Sequence, residues 1–415
     1  MLKTELRKAK ALKKTQIKNE GERTMVKKAT APAPTNEVGN LIRKQREAMH
    51  MTVTQLAGLV GVSRNTITNY EAGKTEPNSS DLVHISGALG CSINDLLHGG
   101  IASIPPRFAF RAHAPLRKDQ AITVVARKYL RAYDEIEEIM NSRLSGTLLT
   151  FNTDQEGPLK DEFIKMAADT LRKSSGLHDS GPENIASVLE GLGVRTLFFE
   201  HDGKGIEGLS TIQGDMKFVM LRNRRKEGKL IERTIFSAAH ELGHLVLHPQ
   251  LFTSEELDEE KDSKRHEAEA DKFAGNFLVP EDELVRVWVE ERLSKHKLFD
   301  ALILLKRVFH VSFHCLYRRV TELHLHHSLD RAIFVNQIKE RLGINGPATM
   351  DQLEPDPLPP DALYTTNRFS RLVRSASLQD LIGVSKVAEM FQVTVNRAKE
   401  ITTDWVTPKI GPIEA

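Results

Sequence analysis

The spacing of apolar positions along the chain changes several times, and each change marks a different set of elements. Between residues 38 and 97, Leu41, Ile42, Leu56, Ala57, Val60, Val62, Ile67, Leu82, Ile85, Leu89, Ile93 and Leu96 recur at three- and four-residue intervals. Gly61, Gly73, Pro77 and Gly90 interrupt them, which predicts a bundle of four or five short helices. Periodicity then fails around Gly99, Gly100, Pro105, Pro106 and Pro115, as in a linker, before a long amphipathic helix over about 120–141. From Pro182 the pattern becomes helix (182–192), three short β-rich runs (195–199, 209–212 and 217–221) and helix (231–247). A further helix over 267–278 stops at Pro280. The remainder is mostly helical, with proline punctuation at 355–360 and no convincing repeat. The pattern predicts a multi-domain chain: an all-α N-terminal unit, an α+β unit with a small three-stranded sheet, and a mostly α C-terminal region.

The 415 residues exceed one ordinary domain. They divide into a tail (1–36), a helical unit (37–98), a linker (99–119), an α+β unit (120–290), a helical tail (291–330) and a C-terminal helical region (331–415). With 58 basic against 56 acidic residues the net charge is +2, so no global charge announces a nucleic-acid or membrane partner. The tail alone is basic, with ten Lys/Arg against three acids. It reads either as a solvated extension, upstream of a start at Met25, or as an arm that adds phosphate contacts. Two cysteines, Cys91 and Cys315, exclude a disulfide framework and a four-cysteine zinc site. No apolar run approaches the ~18 residues of a membrane span and no signal-peptide core is visible, so a cytoplasmic location without a membrane partner is expected.

Sixteen histidines are the unusual part of the composition, and His240-Glu241-Leu242-Gly243-His244 is where they carry chemistry. Two His at i and i+4 lie one turn apart on one helical face, so both imidazoles can reach a single Zn²⁺. The Glu beside the first can take a proton from an attacking water and pass it to a leaving amine. The bare pentapeptide arises by chance in roughly 4% of chains this rich in His, so its surroundings matter. Ile235, Phe236, Ala239, Leu242, Val246 and Leu247 make the helix apolar, and a buried His-Glu-His set needs a partner. His248 is rejected as third ligand, since eight residues of helix span ~12 Å and ligands on one metal lie ~3–4 Å apart. It is read as an outer-sphere or surface residue. A carboxylate on a second helix suits better: Glu267 and Asp271 are i and i+4, so one can ligate while the other orients a ligand His. Glu269 lies about 200° round from Glu267 on the helix, and it is expected on the solvated side.

Residues 182–280 resemble the ImmA/IrrE family of metallopeptidases, a gluzincin-like group. The pattern is His240-Glu241…His244, then Glu267…Ala270-Asp271…Phe273-Ala274, then Leu278-Val279-Pro280. The resemblance covers about a quarter of the chain. It implies a zincin-like fold, metal ligands His240, His244 and Glu267 for Zn²⁺, Glu241 as general base, and cleavage of a regulatory protein inside the cell. In such folds a strand beside the cleft aligns the peptide by edge pairing, here expected to be 217–221. The acidic loop 255–262 is read as a solvated insertion, or as a gate that repels acidic substrates. A second metal site among His310, His314, His324, His326 and His327 is the weaker reading beside ordinary helical faces.

Residues 38–97 resemble the lambda-repressor/Cro-like (XRE) helix-turn-helix class. The carrying segment is Thr52-Val53-Thr54-Gln55-Leu56-Ala57-Gly58-Leu59-Val60-Gly61-Val62-Ser63 followed by Arg64-Asn65-Thr66-Ile67-Thr68-Asn69-Tyr70-Glu71-Ala72-Gly73. Leu56 and Ala57 would pack the first helix, Gly61 make the turn, Ser63 cap the second, and Ile67 and Tyr70 point inward. Arg64, Asn65, Thr66, Thr68 and Asn69 are then free to read base edges in the major groove. Val53 stands where the class usually has Gln, and the near-neutral module would lean on Arg43, Lys44, Arg46 and Lys74 for phosphate attraction. Residues 309–320 resemble a winged-helix-like tail and 368–403 another helix-turn-helix-like segment. Together these imply a cytoplasmic transcriptional regulator with a zinc-dependent endopeptidase that cleaves a repressor or antitoxin-like protein, or its own chain. Its partners would be operator DNA, that substrate and a possible homodimer. The alternative is a DNA-binding factor or antitoxin whose peptidase-like domain is a non-catalytic sensor, or a helix-turn-helix used only for protein contacts.

Overall fold

The computed structural model describes residues 37–49, 51–98, 107–108, 120–146, 148–151, 157–177, 180–182, 184–199, 206–223, 230–252, 260–326, 331–349, 352–358 and 367–406. The basic tail, residues 255–259 of the acidic loop and most of the linker lie outside them. Helices α1 (Glu37–Ala48), α2 (Val53–Val60), α3 (Arg64–Glu71), α4 (Ser79–Leu89) and α5 (Ile93–His98) form the first unit. Its core comprises Ile42, Leu56, Ala57, Ile67, Tyr70, Ile85, Leu89 and Leu96. The turns are set locally. Thr52 and Gln55 form a reciprocal capping box, Gly61 ends α2 at φ 80°, and Ser63 caps α3 by accepting from Thr66 N–H. Arg46 is buried, with Nε and Nη2 on Glu71 at 2.6 and 2.9 Å and Nη1 on the Met51 carbonyl. Arg46 therefore braces α1 against α3, and the phosphate-attracting role expected of it is taken up by the fold.

The strand β1 (Arg107–Phe108) falls in the segment expected to be linker, and α6 (Gln120–Ile139) follows. Arg127 of α6, itself buried, donates to the Leu89 carbonyl at 2.6 Å and to Gln45, so it locks α6 onto the first unit. Next come α7 (Asp161–Ser174), α8 (Ile185–Gly191), β2 (Val194–Phe199), β3 (Gly208–Gln213), β4 (Met216–Arg222), α9 (Ile231–Leu247) and α10 (Glu260–Leu278). The sheet order is β1-β3-β4-β2, with β2 parallel to β4 and the other pairs antiparallel. β4 lies between β3 and β2, so the expectation that residues 217–221 align a peptide by edge pairing is wrong: their backbone groups are already paired on both sides. The strand on the side of α9 is β3. There β1 covers only Thr211 and Ile212, and among the described residues no strand pairs with Gly208–Ser210 on that side.

Both faces of the sheet are covered, which explains why β4 reads as a continuous apolar run. Val194, Val219 and Leu221 face the large core built with α7 to α10, while Leu197, Phe199, Leu209, Phe218 and Met220 face a second core with α6. The large core continues through α11 (Glu281–Glu290), α12 (Leu298–Phe309), α13 (Phe313–Glu322) and α14 (Arg331–Leu342), with no break at residue 290. The segment likened to a winged helix is a helical pair, with no strand among its described residues. The last helices, α15 (Arg368–Leu378), α16 (Val384–Phe391) and α17 (Val395–Val406), complete the second core. Buried Glu137 of α6 fixes them there: it accepts from Arg195 of β2 at 2.7 Å and from Arg368 of α15. Tyr133 stacks on Phe369 with ring centroids 5.3 Å apart.

Candidate metal centre

The centre is made where α9 crosses α10. Gly243 sits at the crossing: a Cβ there would lie 3.1 Å from the Phe273 ring and 3.2 Å from the Ala270 Cα. That close approach brings Glu267 of α10 under the α9 histidines. His244 Nε2 lies 3.1 Å from His240 Nε2 and 3.1 Å from Glu267 Oε1, and His240 Nε2 is 3.4 Å from Glu267 Oε2. Ligands ~2.1 Å from a tetrahedral metal stand about 3.4 Å apart, so two nitrogens and a carboxylate already converge at the spacing such an ion needs. Asp271, one turn beyond Glu267, accepts from His240 Nδ1 at 2.9 Å, which leaves Nε2 to point into the centre.

Glu241 is buried at the same crossing, beneath β3. Ser210 Oγ donates to Glu241 Oε2 at 2.6 Å. A Cβ on Gly208 would fall 2.9 Å from Glu241 Cγ and 3.1 Å from Oε1, so this strand passes over the carboxylate only because residue 208 lacks a side chain. Nothing in the sequence marks Ser210 or Gly208; only the β3 register places them. Beside Asp271 opens a cavity of about 730 Å³, whose lining mixes Arg233, Lys272 and Arg318 with Asp161 and Glu322.

Electrostatics without a metal follow from burial and neighbours. Burial opposes the charged form of His240, but Asp271 and Glu267 outweigh it and raise its pKa to about 10. Burial pushes His244 down. Burial also opposes ionisation of Glu267, yet hydrogen bonds from His240 and His244 hold its carboxyl well below the usual range. Glu269 is not the solvated residue expected from the helical wheel. It is 5% exposed, accepts from His248 Nε2 at 2.8 Å and from the Leu159 N–H at 2.8 Å, and His266 packs beside this pair. No group of three or more metal-ligating side chains forms among the described C-terminal histidines.

On α3, Arg64, Asn65 and Thr68 are exposed while Thr66 and Asn69 are half-buried. The Thr66 hydroxyl is engaged by Ser63 at 2.8 Å and the Thr68 hydroxyl donates to the Arg64 carbonyl. Thr68 therefore has its hydroxyl proton engaged, while Arg64 and Asn65 face outward and Asn69 does so in part.

Two family models match the chain, Helix-turn-helix over residues 42–96 and IrrE N-terminal-like domain over residues 189–321. Repressor protein C2 of Salmonella phage P22 is 37% identical over 68 residues, 16% of this chain and 32% of the repressor, so the chain spans about a third of that relative. An uncharacterized HTH-type transcriptional regulator of Sinorhizobium fredii, y4mF, is 33% identical over 75 residues, 18% of this chain and 95% of the relative.

Proposed function

Because the chain belongs to the XRE-type helix-turn-helix regulators and carries a domain of the IrrE-like metallopeptidase family, we propose that it is a cytoplasmic DNA-binding regulator. Its second domain is a zinc-dependent endopeptidase that cleaves a repressor or antitoxin-like protein, or its own chain. The observation that carries the reading is the convergence of His240 Nε2, His244 Nε2 and Glu267 within 3.1–3.4 Å, with the Glu241 carboxylate on the same helix.

His240, His244 and Glu267 would hold a zinc ion, which when bound would polarise the scissile carbonyl and acidify water. An extended peptide would align along β3, the strand that passes over Glu241. The absence of a Cβ at Gly208 keeps that passage open over Glu241. Ser210 occupies Glu241 Oε2, so Oε1 takes the proton from the attacking water and returns it to the leaving amine. Asp271 fixes the His240 ring throughout. Arg64 and Asn65 read operator bases, and homodimer pairing would match a two-fold operator.

Glu241→Gln should keep metal and lose cleavage of a regulator encoded beside this gene. Equal cleavage by the variant refutes the mechanism. A second reading, a non-catalytic sensor or antitoxin, is favoured by one feature: Glu241 is only 6% exposed and already bonded to Ser210. DNA binding with metal bound but no proteolysis of any neighbouring regulator would select it.

A further inference from the structure

Behind the centre lies a buried set that the proposed mechanism does not use: His248, 1% exposed, His266, 8%, and Glu269, 5%. His248 Nδ1 stands 3.3 Å from His244 Nδ1, and His248 Nε2 stands 2.8 Å from Glu269 Oε2. Glu269 Oε1 accepts from the Leu159 N–H. Resting on the metal-centre reading above, we propose that His248 and Glu269 form a relay that holds His244 in the tautomer a metal ligand requires.

The protons follow by elimination. His244 ligates through Nε2, the nitrogen beside Glu267 and His240, so its Nδ1 carries the hydrogen. The Nδ1–Nδ1 contact is then a hydrogen bond only if His248 Nδ1 is the acceptor. A neutral His248 with a bare Nδ1 is protonated at Nε2, and that N–H points at Glu269, a pure acceptor when ionised. Each link therefore fixes the next, from the Leu159 N–H and the Glu269 carboxylate through His248 to His244. The two ligand histidines are oriented by different means: His240 meets its carboxylate, Asp271, directly, and His244 meets Glu269 through a second imidazole.

The same logic rejects the rival use of this set as a second metal site. Metal on His248 Nε2 would move that ring's hydrogen to Nδ1, where it would face the Nδ1–H of metal-bound His244 across 3.3 Å. Two donors cannot satisfy that contact in a buried site. Arg265 adds to the cost, since its guanidinium lies 3.2 Å from His266 Nε2 and 4.0 Å from Glu269 Oε1.

The test uses the full-length protein titrated with zinc against a competing chelator. Wild type should bind one ion per chain at this domain. His248→Leu, which keeps the volume and removes both nitrogens, should weaken affinity roughly 10- to 100-fold. His248→Asn should recover a large part of that loss, because its Oδ1 falls where Nδ1 does and still accepts from His244. A purely structural role would be met as well by Leu as by Asn. Histidine ¹⁵N spectra of the zinc-loaded wild type give a measure independent of any variant's folding: His244 should be protonated at Nδ1 and His248 at Nε2. Unchanged affinity in His248→Leu, the opposite tautomer of His248, or a second ion lost with His248 would each overturn the relay. A wild type that binds no zinc would overturn the metal-centre reading itself, and the relay with it.

Discussion

The α9–α10 crossing can be tested by one methyl group. In Gly243→Ala the new Cβ meets the Phe273 ring edge at 3.1 Å, the Ala270 Cα at 3.2 Å and the Ala270 carbonyl oxygen at 3.3 Å. Ordinary van der Waals contact begins near 3.4 Å, so three neighbours must retreat by a few tenths of an ångström. Phe273 has no room to do so, being fully buried and stacked on Phe277, and the Ala270 atoms belong to the α10 backbone. Two terms oppose each other. Replacing a mid-helix Gly by Ala stabilises by about 1 kcal/mol, while overpacking a tight core costs about 1–3 kcal/mol. Overpacking should win, leaving the metal-free protein less stable by up to about 2 kcal/mol in chemical denaturation. The geometric effect is more diagnostic than the energetic one. Parting the helices moves Glu267 away from His240 and His244, whose spacing is already matched to a small ion, so zinc affinity should fall about tenfold, as when outer-sphere support is lost. Chelator competition and denaturation of the same preparation measure both terms. A variant that is about 1 kcal/mol more stable and binds zinc as wild type would refute the claim that glycine is needed for this contact.

Other expectations follow from buried charge. Lys306, 2% exposed, donates to Glu232 at 2.6 Å and to Glu354; Lys306→Met should cost about 3–5 kcal/mol, and adding Glu232→Gln and Glu354→Gln should restore much of it, as denaturation midpoints will show. With metal absent, the His240 pKa stands at about 10 against an ordinary 6.5. The stabilisation it contributes is therefore complete below pH 6.5 and lost as pH rises through 10. Unfolding in chelator should show that decline, and zinc binding near pH 8 should release a proton measurable by calorimetry in buffers of different ionisation enthalpy. Burial raises the thiols of Cys91 to about 11 and Cys315 to about 12, so neither should react with a thiol reagent at pH 8 until the protein is unfolded. In operator binding, Asn65→Ala should cost about 1–3 kcal/mol of base discrimination, whereas Lys74→Ala should lower the salt slope by about one without changing sequence preference.

What the sequence revealed and what it hid divide along contact range. The helix-turn-helix unit was legible because its caps, turns and core rows are set within a few residues: Thr52 with Gln55, Gly61, and Ser63 with Thr66. The pairing of α9 with α10 was legible because spacing on each helix puts the donors on one side. Strand order was not. A continuous apolar run such as that of β4 fits any strand covered on both faces, and only register shows that β4 is central and that β3 passes over Glu241. The misplacement of Glu269 has a different cause. The helical wheel gives its angle from Glu267 correctly, but that angle does not lead to solvent, because α10 is enclosed on a second side by α7 and by Leu159 before it. The charged side chain survives there because His248, one turn beyond His244, reaches across to meet it. The same reasoning applies to Arg46, a basic residue in the helix-turn-helix unit that is committed to Glu71. In both cases a buried charge found its partner on another helix, a match of two positions that no single stretch of sequence displays.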